Sequence, residues 1–425
     1  MSHFTVDTAR ALPGPDWLKD RRTAAAEEFI AASMPTESEE EWRYSPIADL
    51  RLDSYRLADV GEVADHEMDD KMAVGAIAEV DIVNGCLVSV AGLQTLTSHG
   101  VTVQSAADYP AGRDLLGSVI NGTADYFTQL NDAFTPTPVI IEIPANTMLD
   151  GVIAVHHHTT HNGVASFPRL IVRVGANAQA QIVNVESSES GVLVVPVVEL
   201  DVQHAGRLSY VNLQRHHPQA WQVALHAAQV HRDAQFVNLI AGFGGGYART
   251  RSATTLAGRG ATGNLLSAYL GSGDQTLDFR TFQDHAAADT TSNLLYIGAV
   301  GDTARSIYTG LIRVRPEARG TNAFQTNRNL KLSDQAWVES VPNLEIENNE
   351  VRCSHASTVG PIDEDQLYYL ESRGIPTQTA ERLIASGFFE EVLSTSPVKA
   401  VEQEIRNTIA AKLDQQLRIA EHAIG

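Results

Sequence analysis

From residue 139 to about 358 the chain alternates short apolar runs with turns of small residues, and the same kind of turn keeps returning. Gly175-Ala176-Asn177-Ala178-Gln179-Ala180, Ala205-Gly206-Arg207-Leu208 and Arg232-Asp233-Ala234-Gln235-Phe236 begin the series. Gly258-Arg259-Gly260-Ala261, His285-Ala286-Ala287-Ala288 and Pro316-Glu317-Ala318-Arg319-Gly320-Thr321 continue it. The interval is roughly 26–30 residues, in the range where internal repeats imply a solenoid. Each interval holds two or three strand-length runs and almost no helical periodicity. A strand-only unit that stacks on copies of itself predicts a right-handed parallel β-helix over 139–358. The competing architecture is a two-sheet sandwich, which calls for a turn about every 8–12 residues without the longer period.

The flanks read as helical. Asp16 can cap a segment in which Trp17, Leu18, Ala24, Ala25, Phe29 and Ile30 recur at near-helical spacing, with Pro35 ending it. In Glu39-Glu40-Glu41-Trp42-Arg43-Tyr44-Ser45-Pro46 the acids read as a solvated helix start, and Trp42 and Tyr44 as packing residues. From about 72 the texture turns to β-branched runs (Ala78–Val83, Cys86–Val90), and 110–135 looks helical again, up to Pro136 and Pro138. After the repeats, Asp363 and Gln366 form an Asp-x-x-Gln cap ahead of Leu367 and Leu370. Gly374 stands where a C′ glycine belongs, and Pro376 blocks continuation. A second helix starts at Thr377 and closes at Gly387. In the last one, Val401, Ile405, Ile409, Leu413 and Leu417 form an apolar stripe. That stripe either packs on the chain's own tail or docks a partner. The expected fold class is mainly β. A β-helix core (139–358) lies between an N-terminal helical or mixed domain (1–138) and a C-terminal helical domain (359–425).

Composition narrows the function classes. A chain of 425 residues exceeds the size at which one core stops growing. Its 52 acidic against 31 basic residues give a formal charge of −21. Such a surface repels phosphate backbones and anionic lipid, so neither nucleic acid nor membrane is an expected partner. No run reaches membrane-spanning length, and the first residues lack the basic and apolar regions of a signal peptide. Two distant cysteines make no disulfide framework, so a reducing cytoplasm is the expected compartment.

The chemistry is sparse. Cys353 and His355 lie two apart, so on a strand they address one side, and Cys and His are soft and borderline metal ligands. The alternative is a buried cysteine with a hydrogen-bonded histidine neighbour. In His156-His157-His158-Thr159-Thr160-His161 only His156 and His158 share a face, with no acid or cysteine nearby to complete a metal set. Gly242-Phe243-Gly244-Gly245-Gly246-Tyr247 lacks the Lys-Ser/Thr ending of a phosphate loop and reads as a turn. No spacing singles out a carboxylate pair of the kind used by β-helix enzymes that act on polysaccharides.

From about 305 to 390 the chain resembles the SufB/SufD family of iron–sulfur cluster assembly proteins, on its SufD side. The carrying residues are Arg305, Gly310, Thr321-Asn322-Ala323-Phe324-Gln325-Thr326-Asn327-Arg328-Asn329-Leu330, Leu332-Ser333, Pro342, Leu344-Glu345-Ile346 and Cys353-Ser354-His355-Ala356-Ser357-Thr358-Val359-Gly360. Asp363, Leu367-Tyr368-Tyr369-Leu370, Ser372-Arg373-Gly374-Ile375 and Gly387-Phe388 continue it, and Glu40 to Pro46 is similar as well. The resemblance implies a non-catalytic scaffold that pairs with a SufB-like subunit and a SufC-like ABC ATPase. It implies no stably bound cofactor, but a transient iron or iron–sulfur cluster shared with SufB. His355 falls on the histidine that the SufD side supplies, with Cys353 beside it. The ATPase side would be Asp363, Leu367, Tyr368, Tyr369, Leu370 and Arg373. Without SufB, a homodimer through the same surface is expected. The alternative class is a β-helix carbohydrate-active enzyme, a lyase or hydrolase. That reading expects a groove with paired carboxylates and a secretory signal.

Overall fold

The computed structural model describes residues 3–58, 75–120 and 124–424, with side chains to Gln416. Met1, Ser2, residues 72–74 at the start of the first β-branched run and the side chain of Leu417 lie outside the described residues. Two parallel sheets run side by side, and the chain alternates between them. Arg207–Arg215, Gln235–Gly242, Thr262–Gly271, Thr291–Val300, Asn322–Lys331 and Arg352–Pro361 are successive strands of one sheet. Trp221–Val230, Tyr247–Leu256, Thr276–His285, Arg305–Val314 and Trp337–Ile346 follow one another in the other.

The register gives the repeat its physical meaning. Arg207 aligns with Gln235, then Thr262, Thr291, Asn322 and Arg352, in steps of 28, 27, 29, 31 and 30 residues. In the second sheet the step is as short as 26, from Trp221 to Tyr247, and as long as 32, from Arg305 to Trp337. The range thus exceeds the 26–30 read from the turns, because the turns at 315–321 and 332–336 are longer than those at 286–290 and 301–304. The architecture is a parallel β-solenoid of about eight turns. A Greek-key sandwich is excluded, since antiparallel pairing among the described residues is confined to the N-terminal end. There Ala78–Val83 pairs with Cys86–Ala91 across an Asn84-Gly85 turn, and Thr102–Ser105 pairs with Val139–Ile143. Ala78–Val83 also pairs in parallel with Met148–Thr159, so the first rung draws on a strand ahead of 139. The final strand runs to Pro361.

The recurring small-residue turns stack as a backbone ladder. At one corner of each rung a residue enters the left-handed region: Asn146, Asn177, Ala205, Asp233, Gly260, Asp289 and Gly320. Each donates its N–H to a carbonyl of the next turn, as in Asn177 to His204 (3.0 Å), Ala205 to Arg232 (2.9 Å) and Asp233 to Arg259 (2.9 Å). Only Gly, Asn and Asp take this conformation at little cost, which is why the turns look alike in sequence.

Inside, the rungs bury a continuous column that includes Ile153, Ile182, Tyr210, Phe236, Leu265, Leu294 and Tyr308. The outer face of the first sheet is covered by the chain's own C-terminal helices. Val401, Ile405, Ile409 and Leu413 pack there against Val183, Val211, Leu239, Leu266 and Ile297. The apolar stripe therefore packs both on the solenoid and on the preceding tail helix, through Ala385, Phe389, Val392 and Leu393. Lys412 fixes the last helix by donating to the Phe243 carbonyl (2.8 Å) and to Gln275 Oε1 (2.9 Å).

The N-terminal segment braces the other sheet. Trp42 lies under the Arg249 guanidinium (3.9 Å to the ring centroid), and Arg249 pairs with buried Asp278 (3.1 Å). Ser45 Oγ meets Tyr247 Oη at 2.5 Å, and Arg280 donates to the Arg43 carbonyl (2.9 Å). Tyr44 packs against Trp337, as a packing residue should. Three helix boundaries differ from the sequence expectation. The helix from Thr377 runs through Gly387 to Leu393. Asp16 is the first residue of its helix, not the cap, and the helix stops at Ala31, before Pro35, because Ala32 already turns extended. The 110–135 stretch holds short helices at Gly112–Leu115 and Tyr126–Phe134. Among the described residues no helix is long and apolar enough to cross a membrane.

Ala205 is the one non-glycine, non-Asx member of the turn ladder, at φ +53°. Ala205→Gly should therefore raise stability by about 1 kcal/mol, read as an increased urea midpoint. An unchanged or lower midpoint would show that the turn tolerates alanine without strain.

Candidate functional site

The solenoid ends abruptly. Trp337–Ile346 and Arg352–Pro361 are the outermost strands of the two sheets, each with a neighbour on one side only among the described residues. Ten-residue edges of this kind present a row of backbone donors and acceptors that another strand can meet.

Cys353 and His355 both lie on this last rung, on one side of the strand. The register sets Cys353 beside Ala323, His355 beside Gln325 and Ser357 beside Asn327. Those three inner neighbours are all buried. No further rung covers the last one, so His355 and Ser357 are exposed. Cys353 differs: it is half-buried, packed against the Ile312, Val314, Ala318 and Ala323 cluster. Burial pushes its thiol above the usual range, partly offset by a backbone hydrogen bond from Ala323. The structure thus brings the pair onto one face but gives the two side chains opposite environments.

A polar network lies under the rung. Ser357 donates to Ser340 (2.7 Å) and Ser340 to Asn327 Oδ1 (2.8 Å), joining the two terminal strands. Asn329 donates to the same Asn327 oxygen (2.8 Å), and Tyr269 Oη donates to Asn329 Oδ1 (2.7 Å). Neighbouring apolar side chains stay uncovered: Phe324, Leu344, Ile346 and Val359 are 37–43% exposed. Among the described residues, seven of the eleven large exposed hydrophobic residues lie from Phe324 to Leu383, a concentration that makes this end the candidate interaction surface.

The helix Glu364–Ser372 follows at once. Asp363 caps it, accepting from the Gln366 N–H (3.0 Å), and Gly374 at φ +82° turns the chain away. Leu367 and Leu370 are half-buried, while Tyr368 and Tyr369 are 73% and 57% exposed. The Arg373 guanidinium sits 5.2 Å from the Tyr369 ring centroid. All six residues expected on the ATPase side thus lie on or at the ends of one short helix. Of the three C-terminal helices, the last spends its apolar stripe on the solenoid and on the helix before it.

The histidine run is part of the first rung. His156 and His157 are buried. His158 Nδ1 meets Ser187 Oγ (2.9 Å), and His161 Nδ1 meets Thr160 Oγ1 (2.7 Å). Among the described residues no group of three or more His, Cys, Asp or Glu side chains is arranged to hold a metal ion, here or at Cys353. Gly242–Tyr247 is a turn between sheets; a Cβ on Gly244 would lie 2.3 Å from the His216 backbone. Sequence reasoning missed Gln325, Asn327 and Ser340 beneath the last rung. Counting one rung back from His355 would have found the first of them.

The molecule is a parallel β-solenoid whose last rung is uncovered and is followed by a capped helix. Residues 156–388 match the family model for the SUF system FeS cluster assembly SufBD core domain. A SufBD family protein of Mycobacterium tuberculosis is 32% identical over 306 residues, covering 70% of this chain and 74% of its own. SufD of Escherichia coli is 26% identical over 400 residues, covering 91% of both chains. SufD of Bacillus subtilis is 35% identical over 164 residues, covering 39% and 38%. The chain belongs to the SufBD family of iron–sulfur cluster assembly proteins, and within it is most like SufD.

Several buried groups make stability depend on pH. Burial lowers His157 and His216 from 6.5 to about 3, and His226 and His285 to about 4. These four stay neutral when folded but take up protons when unfolded, so their contribution is complete above pH 6.5 and lost on acidification. Burial raises Glu186 from 4.5 to about 7, and its contribution has the opposite sign, present below pH 4.5 and lost as pH rises through 7. Four groups outweigh one. The urea midpoint should fall between pH 6.5 and 4.5, and more steeply in Glu186→Gln. A midpoint that holds or rises on acidification would contradict this balance.

Proposed function

We propose that the chain is a non-catalytic SufD-like scaffold of a Suf assembly complex. It pairs through its open last rung with a SufB-like subunit, and through the helix Glu364–Ser372 with a SufC-like ABC ATPase, where ATP hydrolysis resides. The observation that carries this reading is the uncovered terminal rung, where two strand edges, three exposed apolar side chains (Leu344, Ile346 and Val359) and His355 coincide. A homologous solenoid end could continue both sheets, meeting the edge donors and acceptors strand to strand. Iron or the nascent cluster is the cargo, held at that junction between chains. His355 offers an accessible imidazole nitrogen to it. Cys353, packed and held as a thiol, serves the rung's core. Two cysteines cannot supply four cluster thiolates, which fits a site shared with the partner. The chain works in a reducing compartment such as the cytoplasm, and forms a homodimer through the same rung when the SufB-like chain is missing.

In the full complex, His355→Ala should leave assembly intact but reduce iron and sulfide content by about tenfold or more, as loss of a metal-shell residue does. Cys353→Ala should keep cluster yield within about twofold, its cost falling on packing. Wild-type yield from His355→Ala would make that residue structural.

The helix has its own test. Replacing Tyr368 and Tyr369 with Glu should abolish co-purification of the ATPase, while the circular dichroism of the solenoid stays unchanged. Both rings are solvent-exposed, so the fold does not depend on them. Undiminished co-purification would move the ATPase contact elsewhere.

A further inference from the structure

Buried polar side chains occur at several levels of the solenoid's interior, and two adjoining rungs near its N-terminal end hold one such set. Glu186, on Gln179–Ser188, is aligned with His157 on the preceding strand of its sheet. Asn212 follows on Arg207–Arg215, and Gln222 and His226 project from Trp221–Val230 in the facing sheet. All five are at least nine-tenths buried. Some of their hydrogen bonds are made. Asn184 and Gln222 donate side-chain N–H groups to the two Glu186 oxygens, at 3.1 and 3.0 Å. Asn212 Nδ2 lies 3.3 Å from His226 Nε2. An amide nitrogen can only donate, so Nε2 accepts and the His226 proton sits on Nδ1.

What remains is unmatched. Asn212 Oδ1, Gln222 Oε1, His226 Nδ1 and both ring nitrogens of His157 have no hydrogen-bond partner. The set mixes types: two amide oxygens accept, His226 Nδ1–H donates, and the neutral His157 ring does one of each. A cation would serve only the acceptors, and an anion only the donors. Water serves both, and buried water settles where several polar groups converge without other partners. The arrangement also falls short of a metal set. We propose that this part of the lumen is a water-binding site, in which a cluster of ordered molecules bridges His157, Asn212, Gln222 and His226 beside the Glu186 carboxyl. The cluster completes the hydrogen bonding of the first rungs. This site lies far along the chain from the last rung and stands whether or not the cluster-assembly reading holds.

The test combines a high-resolution crystal structure of the full chain with two variants. Two or more water molecules within hydrogen-bond distance of these atoms are expected. His157→Leu should then lower the urea midpoint, because it removes a partner of bound water; Gln222→Leu should lower it too, and there the lost donor to Glu186 adds to the cost. A dry lumen overturns the proposal. So does a higher midpoint in His157→Leu, since replacing an unpaired buried polar group with an apolar one of similar size stabilises. If a variant fails to fold, the electron density decides by itself.

Discussion

The backbone hydrogen bond between one rung and the next is what the rest of this molecule depends on. In a parallel solenoid each strand is completed by the strand about thirty residues away, and each corner by the next corner. The arrangement supports itself everywhere except at its two ends. At the N-terminal end the chain closes the problem with short antiparallel strands, which leave only brief edges, and with the helices around them. At the other end it stops with two full ten-residue strands and no cover. The site follows from that asymmetry. A residue placed mid-solenoid is sealed by neighbours above and below, whereas one on the last rung faces whatever comes next.

The C-terminal helices show how the chain divides its apolar surface between itself and others. The long final helix is spent on the outer face of the solenoid and on the helix before it, and is tied there by Lys412, a half-buried cation held by two oxygen acceptors. Burial lowers its pKa from 10.5 to about 8. The short helix that precedes it keeps Tyr368 and Tyr369 in solvent. Isolated short helices are marginal, so a cap at Asp363 and a left-handed glycine at 374 matter more here than in a helix with a packed face. Their presence keeps an exposed helix folded.

Much of the fold was legible because a solenoid repeats its constraints. The left-handed corner must recur at every rung, so Gly, Asn, Asp and small residues recur too, and their interval gives the rung length. The candidate site was partly legible. Cys-x-His on a strand-forming segment put both side chains on one face, as alternation requires. Their separation into a packed thiol and an exposed imidazole was not legible, since it depends on the neighbouring Ile312 and Ala323 and on the absence of a covering rung. The helix Asp16–Ala31 ends early for a local reason: Pro35 reads as the stop, but the chain has already left helical geometry at Ala32.

By itself, the sequence determined the repeating strand-and-turn unit, the helical flanks, the capped helix after the last strand and the kinship with SufBD proteins. Only the tertiary structure decided which face of each strand is interior. Alternation offers two equivalent faces, and stacking chooses between them. The same holds for the fate of the apolar stripe at Val401–Leu413, for the polar chamber around Glu186, and for the link from Ser357 through Ser340 to Asn327. Each joins residues on different rungs or different sheets. Such neighbours leave no pattern in a linear chain until the rung length and the facing of the sheets are known.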